Sequence, residues 1–319
     1  MTPPLRLETT APYDLRWQAD TPPTHRNPDH VVVRPLLVGT CGTDLEIVRG
    51  SYPRVSFPAV LGHEWVGQVE HGGGHFAEGT VVVGYNQITA ADGTIVELGF
   101  EVPGAMSSRI VVPSENVVPA PTGAAAIDLV LAEPTSVAIH AASRVPPAAR
   151  RVVVIGDGPI GLISALVLRH RGHLVTLIGA QQPRLEHIKR LGFRCQHAKA
   201  INLDNDPPYD AVLEASGSPA AADLALSLTV EYGLVVLVGA YLGHPLTAFG
   251  LIADRNLTVS GVNTGAGFLP AAVDLIASAV VTSDLLGVTF VSPAEAPTAI
   301  SDLARGDRSD LKLILDLRG

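Results

Sequence analysis

Hydrophobic residues follow two different patterns along this chain. From Val31 to about residue 120, short apolar stretches alternate with polar positions and are broken by glycine and proline, as in VVVRPLLVG and GTVVVGYN. This pattern predicts the short strands of a barrel-like β domain. From about residue 150 the strands become continuous apolar runs separated by helical segments, which is typical of a parallel sheet buried on both faces. We therefore expect an α/β protein with two domains.

The segment RVVVIGDGPIGLISALVLRHRGHLVTLIG, residues 151–179, is predicted to form a strand, a tight turn, a helix and a second strand. It opens a predicted doubly wound domain over 135–262, while 1–134 and 263–319 form the other domain. Three more strands, a helix and a closing strand are predicted, in this order, at 211–213, 234–238, 257–262, 269–281 and 312–317.

The turn carries Gly156, Gly158 and Gly161 in the spacing G-x-G-x-x-G. The first glycine permits the tight turn, the second lets the backbone approach a pyrophosphate, and the third lets helix pack on strand. The helix, which starts with Pro159 and Ile160, offers unpaired N–H groups and a positive dipole end to phosphates. The motif alone also fits a structural turn, but the flanking strands and helix favour dinucleotide binding.

Composition excludes several functions. Of the 319 residues, 47% are hydrophobic and 17% charged, and the net charge of −9 disfavours partners such as nucleic acid or an anionic membrane. The chain has no apolar run near the ~20 residues that span a bilayer and no signal-peptide core at its start, so we expect a cytoplasmic protein. With only Cys41 and Cys195, no disulfide framework is expected.

Four residues of the first domain are candidate metal ligands: Cys41, His63, Glu64 and Glu133. A thiolate, an imidazole and carboxylates suit a catalytic zinc, which takes three protein ligands and keeps one position open. The same residues also fit an inert core thiol and an ordinary polar pair. Spacing alone leaves both interpretations open.

Four segments occur in the order and approximate spacing of the zinc-dependent medium-chain dehydrogenases: CGTD at 41–44, GHE at 62–64, EPTSV at 133–137 and GDGPIG at 156–161. The chain resembles that superfamily over nearly its whole length. CGTDLEIVRG, LGHEWVG and Gly261-Val262-Asn263 look most like its glucose and polyol dehydrogenase branch. The resemblance implies a GroES-like β-barrel catalytic domain and a doubly wound parallel Rossmann domain.

The resemblance also implies roles for individual residues. Cys41 and His63 would be zinc ligands, and either Glu64 or Glu133 the third. Asp44 would fix the orientation of His63, and the hydroxyl of Thr43 would pass the substrate's proton outward. Glu46 stands where many relatives have a relay histidine and would assist this transfer, although it also fits a solvated loop carboxylate.

Most zinc-dependent relatives carry a lobe with four cysteines that binds a second, structural zinc. Between Val83 and Ser108 this chain has no cysteine, so that site cannot form and we predict one zinc per chain. The shortened segment is predicted to turn at Asp92-Gly93.

The cofactor prediction depends on the end of the second strand. NAD enzymes place Asp or Glu there to bind the ribose 2′-hydroxyl, whereas this chain has Gly179 and, a few residues later, Arg184. With no carboxylate expected at this position, NADP is predicted over NAD, and Gly179→Asp should reverse the preference. By resemblance, Ser216 and Asn263 are also assigned to the cofactor site.

The predicted function is a zinc-dependent oxidoreductase that transfers a hydride between a polyhydroxylated secondary alcohol, or its ketone, and a nicotinamide cofactor. The alternatives are a zinc-free NADPH-dependent quinone or enoyl reductase of the same superfamily and a non-enzymatic dinucleotide-binding protein. A homo-oligomer, at least a dimer, is expected because the strand at 257–262 would leave an open sheet edge.

Overall fold

The computed structural model describes residues 5–21, 27–73, 76–90, 92–203, 208–241, 247–265 and 267–318. The chain forms two compact units, one of Met1–Glu133 with Ala272–Gly319 and one of Pro134–Ala271. The second unit thus extends beyond residue 262, where the sequence analysis ended it. Residues after 262 pack within this unit: Thr264 O accepts a hydrogen bond from His140 Nδ1 (2.7 Å), and Phe268 stacks on the His140 ring.

The strands follow one another as β1 (Leu5–Ala11), β2 (Asp14–Ala19), β3 (His30–Gly39), β4 (Ala59–Val60), β5 (Glu64–His71), β6 (Val81–Gly84), β7 (Gln87–Thr89), β8 (Ile95–Glu97), β9 (Ile110–Pro113), β10 (Val117–Pro119), β11 (Arg151–Ile155), β12 (Leu174–Gly179), β13 (Arg194–His197), β14 (Tyr209–Glu214), β15 (Thr229–Leu237), β16 (Thr258–Gly261), β17 (Val288–Val291) and β18 (Lys312–Asp316).

The α-helices are α1 (Gly42–Arg49), α2 (Ala126–Leu129), α3 (Ala132–Ser143), α4 (Pro159–His170), α5 (Gln182–Arg190), α6 (Pro219–Leu228), α7 (Gly250–Asp254), α8 (Leu269–Ala277), α9 (Ser283–Leu286) and α10 (Ala296–Arg305). Helix α8 ends before the predicted 281 because Ala279 adopts a left-handed conformation (φ 57°). None of the helices in the described ranges is long and apolar enough to cross a membrane.

The first unit is built on a mixed sheet with the order β10-β6-β5-β3-β18-β17, and β9 also pairs with β3. Along β3 buried and less buried residues alternate, with Val31 and Val33 fully buried, as the period-two pattern predicted. Strands β7 and β8 form the predicted hairpin, and Gly93, with a φ of 84°, donates its N–H to Ala90 O (2.8 Å).

The second unit contains a parallel sheet with the order β13-β12-β11-β14-β15-β16. Residues 152–155 of β11 are buried, as the continuous apolar run predicted. The strand order reverses between β11 and β14, and in doubly wound sheets dinucleotides bind across the carboxyl ends of the strands at this reversal. The predicted doubly wound fold is therefore confirmed.

Strand β16 lies at one edge of this sheet. It pairs with β15 on one side, and within the described residues no strand pairs with its other side. Val259 in the middle of β16 is 36% exposed. An unpaired, β-branched edge is a template for pairing with another chain.

We predict that two copies of the chain associate through β16. Light scattering at micromolar concentration should give the mass of a dimer, and Val259→Lys should shift it towards a monomer, because a charged edge residue opposes strand pairing. The control is Glu186→Lys, an exposed variant on helix α5, which should keep the mass of the wild type. A wild-type monomer would contradict the prediction.

Candidate active site

The candidate metal ligands come together through the pairing of β3 with β5. In this antiparallel pair Gly39, the last residue of β3, lies opposite Glu64, the first residue of β5. Cys41 follows two residues after β3 as the N-cap of α1, and His63 immediately precedes β5. A side chain at Gly39 would overlap the carboxylate of Glu64, so glycine is needed at this crossing point.

Cys41, His63 and Glu64 form the only cluster in the described ranges with metal-ligand geometry. One ligand atom from each lies within 4.8 Å of the other two. His63 and Glu64 are buried and Cys41 is half-buried. A thiolate, an imidazole and a carboxylate at this spacing fit the three protein ligands of a catalytic zinc.

Asp44 lies next to His63 and is fully buried. Its Oδ1 is 3.6 Å from His63 Nδ1, and the backbone N–H groups of Cys41 (2.8 Å) and Gly62 (3.3 Å) donate hydrogen bonds to its carboxylate. His63 Nδ1 has no closer partner among the residues described. Because Nδ1 faces Asp44, Nε2 is the nitrogen left for a metal, an arrangement that metal-binding histidines commonly show.

Burial and charge act in opposite directions on this pair. Burial alone would lower the pKa of His63, but the charge of Asp44 and its contact with the ring outweigh burial and raise that pKa well above its ordinary value. Burial would likewise raise the pKa of Asp44, but the charge of His63 lowers it below its ordinary value.

Glu64 forms a buried ion pair with Lys312. The ammonium of Lys312 donates to Glu64 Oε2 and to the backbone oxygen of Thr40 (3.1 Å). Burial would lower the pKa of Lys312, but the charge of Glu64 raises it above its ordinary value. Lys312 is the first residue of β18, which pairs with β3 and so brings Lys312 to Glu64 at the start of β5.

Glu133, the other candidate for the third ligand, is buried in the first turn of α3. No ligand atom of Glu133 lies within 4.8 Å of all three members of the cluster. Burial raises the pKa of its carboxyl group to about 7, the charge of His63 opposing this rise and that of Glu64 adding to it. Glu133 therefore lies near the cluster but outside its tightest group.

The two residues assigned to proton transfer lie on α1. Thr43 is half-buried, and its Oγ1 is 3.9 Å from the Sγ atom of Cys41. Glu46 is partly exposed, and its carboxylate accepts hydrogen bonds from Arg49 Nη1 and Ser51 Oγ, both at 2.5 Å. Thr43 thus adjoins the cluster, whereas Glu46 is held by neighbours near the surface.

The segment around β8 contributes an aromatic wall that the sequence analysis did not predict. The ring of Phe100 lies 5.1 Å from the ring of His63 and 5.5 Å from that of Tyr52, in an edge-to-face arrangement with the latter. Burial is the main cause that raises the pKa of the Tyr52 phenol.

Charged side chains adjoin this wall. Arg54 donates to Glu101 Oε1 (2.6 Å) and lies 3.5 Å from Glu97 Oε2. Arg54 follows Tyr52 by two residues and Glu101 directly follows Phe100, so these charges lie beside the two aromatic residues along the chain. Arg54, Glu97 and Glu101 thus form a charged group next to the aromatic wall.

The glycine turn in the second unit has the predicted conformation. Gly156 has a φ of 127°, Gly158 caps α4, and Pro159 and Ile160 begin the helix. A Cβ atom at Gly161 would overlap the backbone oxygen of Gly156, so glycine is required where the helix crosses the turn.

Ser216 lies in the loop after β14, beside the strand-order reversal. Its N–H (2.8 Å) and its hydroxyl donate to the fully buried carboxylate of Glu214, which also accepts bonds from Gly217 N (3.2 Å) and from the hydroxyl of Tyr241. Glu214 therefore fixes this loop. Asn263, also assigned to the cofactor, is exposed two residues after β16.

The end of β12 differs from the sequence analysis. The expected absence of a carboxylate there is wrong, because Asp157, from the glycine turn, accepts hydrogen bonds from Ala180 N (2.8 Å) and Gln181 N (2.6 Å). Arg184 Nη1 lies 4.0 Å from Asp157 Oδ1. A Cβ atom at Gly179 would lie 2.5 Å from Asp157 Oδ2, so Gly179→Asp would displace this carboxylate rather than supply a missing one.

Comparisons with known proteins agree with this geometry. The family model of the alcohol dehydrogenase GroES-like domain matches residues 27–122, and that of the zinc-binding dehydrogenases matches residues 159–278. The chain belongs to the zinc-type medium-chain dehydrogenase superfamily.

Relatives in this superfamily include an uncharacterized zinc-type alcohol dehydrogenase-like protein of Haemophilus influenzae, 27% identical over 92% of this chain and 93% of the relative. Glucose 1-dehydrogenase of Thermoproteus tenax is 29% identical over 80% of this chain and 82% of its own length.

Among solved structures, a zinc-binding dehydrogenase of Sinorhizobium meliloti bound to NADP has a TM-score of 0.89 at 21% identity, covering 99% of this chain and 100% of that one. An alcohol dehydrogenase of Escherichia coli complexed with NADH has a TM-score of 0.88 at 22% identity, covering 98% and 99%. Both have the same fold as this chain.

The sequence analysis missed two charged residues of these sites, Lys312 and Asp157. Lys312 left a weak signal, because it is a lone charge at the start of the apolar run KLIL. Asp157 left none, because the strand-end rule concerns the residue on the strand itself.

We predict that Lys312→Met destabilises the protein. The substitution leaves the charge of Glu64 buried without its partner, and breaking a buried ion pair from one side costs about 3–5 kcal/mol. Urea unfolding with a chelator present should report this loss in the free energy of unfolding. The double variant Glu64→Gln/Lys312→Met should recover much of it, and equal stability of Lys312→Met and wild type would show that the pair contributes nothing.

Proposed function

We propose that the protein is a zinc-dependent dehydrogenase that transfers a hydride between a polyhydroxylated secondary alcohol and a nicotinamide cofactor. The observation that carries the proposal is the buried cluster of Cys41, His63 and Glu64, with Asp44 beside His63. Membership of the zinc-type superfamily supports an alcohol dehydrogenase-like oxidoreductase. The glycine turn supports a dinucleotide as the second reactant.

Cys41, His63 and Glu64 are the residues that would hold the zinc. Of the two candidates for the third ligand, Glu64 is favoured because it belongs to the tight cluster, whereas Glu133 lies outside it. Lys312 donates a hydrogen bond to Glu64 Oε2, so Oε1 is the oxygen of Glu64 that remains to bind the metal. When bound, the metal supplies Lewis acidity that lowers the pKa of the substrate alcohol.

Two residues of this chain would handle the substrate proton. The Thr43 hydroxyl, next to Cys41 and half-buried, accepts it and passes it towards solvent. Glu46 lies three residues after Thr43, on the same face of α1, and its carboxylate would be the next acceptor on this route. Asp44 keeps the Nδ1 proton of His63 in place throughout the reaction.

The class of substrate is supported by the polar groups next to the aromatic wall whose Phe100 ring lies 5.1 Å from the ring of His63. Tyr52, Arg54, Glu97 and Glu101 provide both donors and acceptors, as the recognition of several adjacent hydroxyl groups requires. The relatives include a glucose dehydrogenase, which is consistent with a sugar, polyol, cyclitol or aminocyclitol as substrate.

The direct test is a panel of sugars, polyols, cyclitols and aminocyclitols, with both nicotinamide cofactors, followed by nicotinamide absorbance. Turnover of polyhydroxylated alcohols in preference to simple alcohols would support the proposal. Turnover of only quinones or enones with NADPH would favour the zinc-free reductase. Cofactor binding with no turnover of any substrate would favour a binding protein.

The choice between NADP and NAD depends on the groups at the end of β12. The preference for NADP was predicted because no carboxylate was expected at the end of β12, and solved neighbours bind NADP in one case and NADH in another. Asp157 removes the premise of that prediction.

We predict one zinc per chain by elemental analysis of the purified protein. Cys41→Ser should lose most of the zinc and most of the activity while the fold is retained, because it replaces a thiolate ligand with a weak one. The matched control is Cys195→Ser, at the other cysteine, which lies on β13 of the second unit. This variant should keep both the zinc and the activity. Two tightly bound zincs, or none, would contradict the prediction.

A further inference from the structure

The end of β12, where a doubly wound domain meets the adenine ribose of a dinucleotide, is occupied by a carboxylate from another part of the chain. Asp157 lies in the glycine turn after β11 and is 8% exposed. Its Oδ2 accepts the N–H groups of Ala180 and Gln181, the first two residues after β12, at 2.8 and 2.6 Å. The acid is therefore supplied from the neighbouring strand's turn.

Gly179 is the counterpart of this arrangement. A Cβ atom at residue 179 would lie 2.5 Å from Oδ2 and 2.6 Å from Cβ of Asp157. Any side chain on the last residue of β12 would thus need the space that Asp157 fills. Gly179, from which the absence of an acid was predicted, is the residue that leaves room for the carboxylate of Asp157.

The chemistry at this position bears on the 2′-substituent of the ribose. A 2′-phosphate would find the N–H groups of Ala180 and Gln181 already bonded, and it would be repelled by the charge of Asp157. Arg184, 4.0 Å from Asp157 Oδ1, has its charge balanced by the same carboxylate. A free 2′-hydroxyl, in contrast, can donate a hydrogen bond to a carboxylate.

We propose that Asp157 selects NAD over NADP, replacing the strand-end acid with a carboxylate from the glycine turn. This inference rests on the proposed function only in requiring a nicotinamide dinucleotide as cofactor. It can be tested without metal, alcohol or turnover.

The test is calorimetric titration of the full chain with ADP-ribose and with 2′-phospho-ADP-ribose. Wild type should bind ADP-ribose more tightly by roughly tenfold or more, because the carboxylate of Asp157 can accept a hydrogen bond from a 2′-hydroxyl and disfavours a 2′-phosphate. Asp157→Asn keeps an oxygen that can accept the two N–H bonds but removes the charge. It should reduce the ratio by roughly tenfold, mainly through tighter binding of the 2′-phosphorylated ligand.

Asp210→Asn is the matched control. The Oδ2 atom of Asp210 also accepts two consecutive backbone N–H groups, those of Arg150 (2.7 Å) and Arg151 (2.8 Å), but at the start of β11 rather than at the carboxyl ends of the strands. This variant should leave the ratio of the two affinities unchanged.

Each result is decisive. Equal or tighter binding of 2′-phospho-ADP-ribose by wild type would overturn the inference and leave the dehydrogenase proposal intact. A wild-type preference for ADP-ribose that Asp157→Asn does not alter would place the selection elsewhere and overturn it as well. If wild type bound neither ligand, the dinucleotide function itself would fail, and the inference with it.

Discussion

The constraint on which the first unit depends is the burial of charge at one end of its main sheet. Asp44 and Glu64 are buried carboxylates, and an ionised group without a partner costs several kcal/mol to remove from water. Lys312 compensates Glu64, while His63 and two backbone N–H groups compensate Asp44. Because the sheet brings β3, β5 and β18 together at this point, its register and its charge balance depend on each other. A cation bound by Cys41, His63 and Glu64 would add to the same compensation.

The second unit also contains buried carboxylates, which here accept hydrogen bonds from the backbone of loops. At the end of β12 two backbone N–H groups, which no strand pairing satisfies, are bonded by the carboxylate of Asp157. After β14, Glu214 performs the same function for Ser216 and Gly217. Both acids fix loops at the carboxyl ends of the strands, where doubly wound proteins bind dinucleotides. Fixed loops reduce the entropy that would be lost when a ligand binds.

The sequence was sufficient for features that depend on local pattern. The buried run of β11 and the glycines after it define a strand, a turn and a helix within a few residues, and the alternation in β3 predicts its buried face. The grouping of Cys41 with His63 and Glu64 came from resemblance to a known family, since their spacing alone allowed other interpretations. The pair of Glu64 with Lys312 could not be predicted, because it joins residues 248 positions apart and depends on which strands become neighbours. Asp157 was missed for a related reason, because its side chain crosses from one strand end to the next. Gly179, at the position where an acid is expected, therefore predicted that no carboxylate is present.

The proposed function requires that Cys41, His63 and Glu64 together hold a zinc ion. The most direct measurement is anomalous X-ray diffraction from crystals of the protein, recorded on both sides of the zinc absorption edge. One anomalous peak per chain is expected, about 2.3 Å from Cys41 Sγ and about 2.0–2.1 Å from a nitrogen of His63. A zinc peak held by other residues, or zinc-replete crystals with no peak at this cluster, would contradict it.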